Sequence, residues 1–117
     1  MKDGALQNKS FAFAVRTVNL YKFLCNEKRE FVISKQLLRS GTAVGALVRE
    51  AEQAESKPNF VHKLAIALKE ANETEYWLEL LQATNYLDTA AFESIHSNLI
   101  ELLKLLTSII KTSKENG

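Results

Sequence analysis

At 117 residues, with 46% hydrophobic side chains and only four Gly and one Pro, the chain suits one helical domain and excludes disordered and turn-rich β architectures. Its net charge of +1 is unevenly spread: residues 1–49 hold nine Lys/Arg against three Asp/Glu, and residues 50–117 hold six against eleven. The first two helices are therefore expected to be basic and the last two acidic. Cys25 is the only cysteine, which excludes an intramolecular disulfide, and it reads as a small buried hydrophobe on the first helix. No stretch approaches the ~20 uncharged apolar residues of a membrane span. The opening Met1-Lys2-Asp3-Gly4-Ala5-Leu6-Gln7-Asn8-Lys9 has no apolar run of signal-peptide type, so a cytoplasmic address is expected.

The spacing predicts a first helix over residues 10–26. Phe11, Ala14, Val15, Val18, Tyr21 and Cys25 follow the i, i+3, i+4, i+7 rule and read as its core face, with Phe13, Leu20 and Leu24 as a second stripe. Asn26-Glu27-Lys28-Arg29-Glu30 reads as a turn. A second helix over residues 32–55 carries Leu37, Leu38, Val44, Leu47, Val48 and Ala51 on its apolar face, with Ser40, Gly41 and Gly45 along one side. Each interior glycine costs a helix about 1 kcal/mol relative to Ala, so two of them mark a place where another helix comes close. Arg39 and Arg49 flank the pair, which argues for close packing in water rather than a membrane dimer motif.

Ser56-Lys57-Pro58-Asn59 breaks the chain and restarts it, with Ser56 as a cap and proline in the first turn. A third helix over residues 57–83 places Phe60, Leu64, Ala67, Ala71, Thr74, Leu78 and Leu81 on one face. Asp88 or Thr89 caps a fourth helix, over residues 89–113. There Phe92, Ile95, Leu99, Leu102, Leu106 and Ile109 form a heptad seam, and Ile100, Leu103 and Ile110 a second stripe. The tail from Lys111 onward is expected to fray. Four helices with short connections imply an all-α, antiparallel up-down-up-down four-helix bundle. Second stripes on helices one and four imply that some apolar surface meets another subunit.

Few constellations point to chemistry. Glu93-Ser94-Ile95-His96 matches the Glu-x-x-His motif of di-iron bundles once, but His62 follows Asn59, so the second half is missing. Two isolated histidines and one cysteine do not make a structural zinc site of the usual kind. No metal and no cofactor is expected. Helix three carries Glu70, Glu73, Glu75 and Glu79, and Glu75 adjoins the apolar seam. A carboxylate there calls for a basic partner, with Arg39 or Arg49 the candidates for Glu50, Glu73 or Glu75. No nucleophile–histidine pair stands out, so the chain is expected not to be an enzyme. Lys22, Lys28, Arg29, Lys35 and Arg39 form a basic set around the first turn that suits phosphate contacts, and hence RNA or another nucleic acid. Basic and acidic halves also suit head-to-tail contact between subunits, which can close into rings.

The stretch Ser34-Lys35-Gln36-Leu37-Leu38-Arg39-Ser40-Gly41-Thr42-Ala43-Val44-Gly45-Ala46-Leu47-Val48-Arg49-Glu50-Ala51 resembles the four-helix-bundle family named after the 23S ribosomal RNA intervening-sequence protein, which also carries a ribosomal-protein label. Phe60 through Leu81, with Ala67-Leu68-Lys69-Glu70-Ala71-Asn72-Glu73-Thr74-Glu75-Tyr76-Trp77-Leu78, carries the same resemblance. The resemblance implies a small bundle that assembles as a ring, a homopentamer in known relatives. Some members are encoded within intervening sequences of 23S rRNA genes. A distant branch, the accessory variability determinant of diversity-generating retroelements, is a basic barrel that binds nucleic acid. The family's helix-two motif falls on Ser40, Gly41, Gly45, Arg49 and Glu50, and its helix-three acidic motif on Glu73 and Glu75. Leu47 stands where many relatives carry Asn, and the strong positive charge of the retroelement branch is missing. The expected function is a non-catalytic oligomeric bundle that binds RNA on the basic surface. The alternative is a protein-interaction scaffold with no nucleic-acid role.

Overall fold

The computed structural model describes residues 4–116; Met1, Lys2 and Asp3, part of the segment read as lacking a signal peptide, and Gly117 lie outside the described residues. Four helices follow one another: α1 (Ala5–Asn26), α2 (Ile33–Glu52), α3 (Lys57–Ala83) and α4 (Thr89–Glu115). Each packs on its neighbours in order, and α1 closes the ring lightly against α4, with no close backbone approach between diagonal helices. The bundle measures 47 × 21 × 21 Å. α3 has its expected bounds. α1 begins five residues earlier than its apolar spacing predicts, because Leu6 is buried and extends the core by one turn. α2 stops at Glu52, three residues short of the predicted end, and α4 runs on to Glu115 where fraying was expected.

The helix starts follow their side-chain chemistry. Ser56 Oγ accepts the Asn59 amide at 3.2 Å, with Pro58 in the first turn of α3. Asp88 Oδ1 accepts the Ala91 amide at 2.8 Å at the head of α4. α2 is capped from outside by Glu30, whose carboxylate accepts the amides of Val32 at 3.1 Å, Ile33 at 3.0 Å and Ser34 at 2.7 Å. Three orphan donors are satisfied by one side chain, which is why a glutamate in a turn is only 7% exposed.

Leu37, Val44, Val48 and Ala51 of α2, Leu64, Ala67, Ala71, Leu78 and Leu81 of α3, and Ile95, Leu99, Leu102 and Leu106 of α4 form one core. These lie on the predicted faces, except that Leu38, expected on the α2 face, stays outside this core. α1 departs from expectation. Its buried residues are Leu6, Ser10, Phe13, Thr17 and Leu24, so the second stripe faces inward and the first faces out. Phe11 is 58% exposed and Val15 45%, while Cys25 is half-buried beside Ser34. Gly41 and Gly45 explain the rotation. A Cβ on Gly41 would stand 2.6 Å from Thr17 Cγ2, and one on Gly45 3.3 Å from the Ser10 carbonyl oxygen. The two helices meet where only small residues fit, so Ser10 and Thr17 point at the glycines and Phe11 and Val15 turn away. On α4, Leu103 and Ile110 of the second stripe pack onto the core, and none of its large apolar residues is exposed.

Candidate functional site

The α1–α2 connection gathers most of the predicted basic residues at one end of the bundle. Lys22 lies four residues before the end of α1, Lys28 and Arg29 lie in the turn, and Lys35 is in the first turn of α2; all four are exposed. None has a carboxylate partner among the described residues. Lys28 Nζ stands 5.9 Å from the centre of the Phe23 ring, and the Arg29 guanidinium 5.4 Å from that of Phe31. Phe31 is 50% exposed and its neighbour Val32 73%. Glu30 lies between them, but its charge is turned inward onto the α2 amides, so it does not neutralise the outer surface. A cavity of about 230 Å³ opens beside Phe23 and Lys28, closed from the far side by Asn85, Tyr86, Leu87 and Asp88 of the α3–α4 turn.

Arg39 does not join this group. Its Nη1 donates to both carboxylate oxygens of Glu70, at 3.1 and 3.2 Å, and its Nη2 donates to Glu73. Trp77 Nε1 donates to the same Glu73 oxygen at 3.0 Å. The indole and guanidinium together hold the Glu73 carboxyl below the usual carboxylate range, and Glu73 in turn raises the Arg39 pKa. The expected Arg39–Glu73 pair is thus present, with Glu70 added. Lys9 and Arg16 are also engaged: Lys9 Nζ donates to Glu101 at 2.9 Å, and Arg16 holds the Ser94 carbonyl and hydroxyl and the Asn98 side chain across to α4.

The other motif residues separate. Ser40 is buried, its hydroxyl 2.9 Å from that of Thr74, which donates to the Glu70 carbonyl oxygen at 2.8 Å. Arg49 meets no carboxylate among the described residues; its guanidinium sits 5.6 Å from the centre of the exposed Phe11 ring. Glu50 pairs with Lys63 at 2.8 Å. Glu75, for which an arginine was expected, instead lies 2.8 Å from His96 Nε2 on α4. His96 is stacked against Phe92 with ring centres 4.8 Å apart. The order of the helices around the bundle is the reason. Glu75 lies on the side of α3 that meets α4, whereas Arg39 and Arg49 lie on α2.

Three parts of this arrangement escape the sequence reading: the Glu30 cap, the Ser10/Thr17 seam and the meeting of His96 with Glu75 and Glu79. A carboxylate just ahead of a helix start was a readable signal for the first. The other two depend on how helices pack.

Among the described residues no helix is long and apolar enough to cross a membrane. No curated protein matches the chain. A crystal structure described as a protein of unknown function from the S23 ribosomal protein family, from Bacteroides thetaiotaomicron, is 63% identical, covers 92% of this chain and 99% of its own, and superposes with a TM-score of 0.91. The family model described as 23S rRNA-intervening sequence protein matches residues 2–108. A match over nearly the whole chain, joined to the same four-helix architecture, identifies the chain as a member of the 23S rRNA-intervening sequence protein family.

Proposed function

We propose that this chain is a non-catalytic, self-associating cytoplasmic bundle that holds RNA on the surface around the α1–α2 connection. The observation that carries the reading is the set of four exposed cations, Lys22, Lys28, Arg29 and Lys35, without carboxylate partners among the described residues. Phosphates are bound by such free cations. Phe23, Phe31 and Val32 beside them supply apolar and aromatic surface on which unpaired bases stack. Arg39 leaves the predicted set, because its guanidinium is already held by Glu70 and Glu73.

The test is fluorescence anisotropy with labelled single-stranded and structured ribosomal RNA, beside duplex DNA, over a range of salt. Four phosphate contacts give a slope of log K against log salt near −3, at about −0.7 per contact. Lys35→Glu weakens binding to every RNA probe. An absence of binding at low salt would remove the RNA reading.

A second reading, a protein-interaction scaffold, is favoured by the outward face of α1. Phe11 and Val15 are exposed there, with Ala14, Ala46 and Arg49 lining a shallow cavity of about 260 Å³. Contacts through that face respond weakly to salt, and so the salt series separates the two readings.

A further inference from the structure

Glu75 and Glu79 lie one turn apart on the same face of α3. His96 faces them from α4. One ligand atom from each, a carboxylate oxygen or an imidazole nitrogen, lies within 4.8 Å of the other two. We propose that these three side chains form a mononuclear site for a first-row divalent transition ion, zinc foremost, which clips α3 to α4.

The donor set chooses the ion. Zinc takes imidazole nitrogen at about 2.0–2.1 Å and carboxylate oxygen at about 2.0–2.2 Å, usually with four ligands. Three donors within 4.8 Å need only a modest rearrangement to reach those lengths, the 2.8 Å contact of His96 with Glu75 opening as Glu79 closes in. Glu79 supplies most of it, being exposed and without a hydrogen-bond or ion-pair partner among the described residues. The contact between His96 Nε2 and Glu75 is replaced when the ion enters. An imidazole disfavours magnesium and calcium, which prefer all-oxygen shells.

Charge and access point the same way. Two carboxylates converge near one imidazole, which pairs with Glu75 alone, and no Lys or Arg pairs with either among the described residues. A dication relieves that crowding of like charge. Phe92 stacks at 18° on the His96 ring and sets its plane. Glu79 is exposed and the Glu75 and His96 side chains are each about a quarter exposed, at 28% and 26%, so a hydrated ion reaches the three donors from solvent. Water completes the coordination shell. The Glu-x-x-His motif of residues 93–96 supplies its histidine, but the carboxylates come from the facing helix instead of from Glu93. A di-iron centre would need a second histidine here, and a mononuclear site does not.

The experiment is calorimetric titration of the purified chain with zinc chloride and with magnesium chloride, together with thermal melts. The expected result is one zinc per chain, a raised Tm in zinc and no change in magnesium. Glu79→Gln keeps the metal-free Tm, since Glu79 holds no partner, yet lowers zinc affinity at least about ten-fold. His96→Gln abolishes the Tm rise, and His62→Ala leaves zinc binding intact. Equal melting in zinc and magnesium would overturn the site. So would zinc binding that survives both Glu79→Gln and His96→Gln, which would place the ion elsewhere.

Discussion

Gly41 of α2 lies so close to Thr17 of α1 that a Cβ at residue 41 would stand 2.6 Å from Thr17 Cγ2 and 2.7 Å from its Oγ1. Thr17 cannot easily yield, because it is buried, short and β-branched, and its hydroxyl donates to the Phe13 carbonyl oxygen at 2.9 Å. Gly41→Ala gains up to about 1 kcal/mol of helix propensity, but the clash outweighs it, for a net loss of about 1–3 kcal/mol. Thr17→Ala in the same chain restores most of that loss. Urea unfolding of the two single variants and the double variant measures the coupling.

Gly45 provides the graded comparison. A Cβ there stands 3.3 Å from the Ser10 carbonyl oxygen, tight but tolerable, so Gly45→Ala falls within about 1 kcal/mol of the parent. Gly45→Leu forces the backbones apart and melts lower than Gly41→Ala. An unchanged Tm for Gly45→Leu would remove the close-packing role.

Glu30 ties the start of α2 to the turn, and its effect depends on pH. Burial acts to raise its pKa, but the amides of Ile33, Ser34 and Val32 outweigh burial and hold it below the ordinary glutamate range. A carboxyl whose folded pKa is depressed contributes stability that is fully present above the unfolded value, about 4.3. That contribution is lost as pH falls through the lower folded value. Glu30→Gln is therefore expected to cost about 1–2 kcal/mol at pH 7, with the gap to the parent closing in acid. Urea unfolding at neutral and acid pH checks both the size and the sign.

Arg39 separates structure from binding. With its guanidinium held by Glu70 and Glu73 on a half-exposed surface, Arg39→Gln costs at most about 1 kcal/mol. It also leaves RNA affinity near that of the parent, whereas Lys35→Glu weakens it. Anisotropy on the two variants, each checked by its Tm, distinguishes the roles.

The outward face of α1 is a test of assembly. Phe11→Glu places charge on a surface that the monomer leaves exposed, so its Tm at low concentration stays close to that of the parent. If copies meet through this face, sedimentation shows a smaller species. An assembly of unchanged size would move the interface elsewhere.

α1 shows how far its pattern could be read. Phe11, Val15 and Val18 are more hydrophobic than Ser10 and Thr17, so a count of apolar positions favours the wrong face. A helix with apolar residues on two sides offers periodicity no means of choosing between them. The glycines on α2 announced a close approach, but α1 became the approaching helix, and Ser10 and Thr17 its contact, only through packing. α4 had its second stripe directly beside the heptad seam, and the seam residues Ile95, Leu99, Leu102 and Leu106 are buried as expected. For the candidate site, Lys22, Lys28, Arg29 and Lys35 were readable because they flank one turn in the chain. Arg39 belonged with them by spacing and was drawn off by acids more than thirty residues away.

The sequence by itself determined the four helices, the cap at Ser56 and a second at Asp88 or Thr89, and the core faces of α2, α3 and α4. Helix periodicity and capping are local, acting over three or four residues. Tertiary structure alone decided which face of α1 turns inward, which carboxylate holds Arg39, and that His96 meets Glu75 and Glu79. Those choices depend on the rotation and register of one helix against another, set by steric fit at Gly41 and Gly45 and by distances that chain order does not encode.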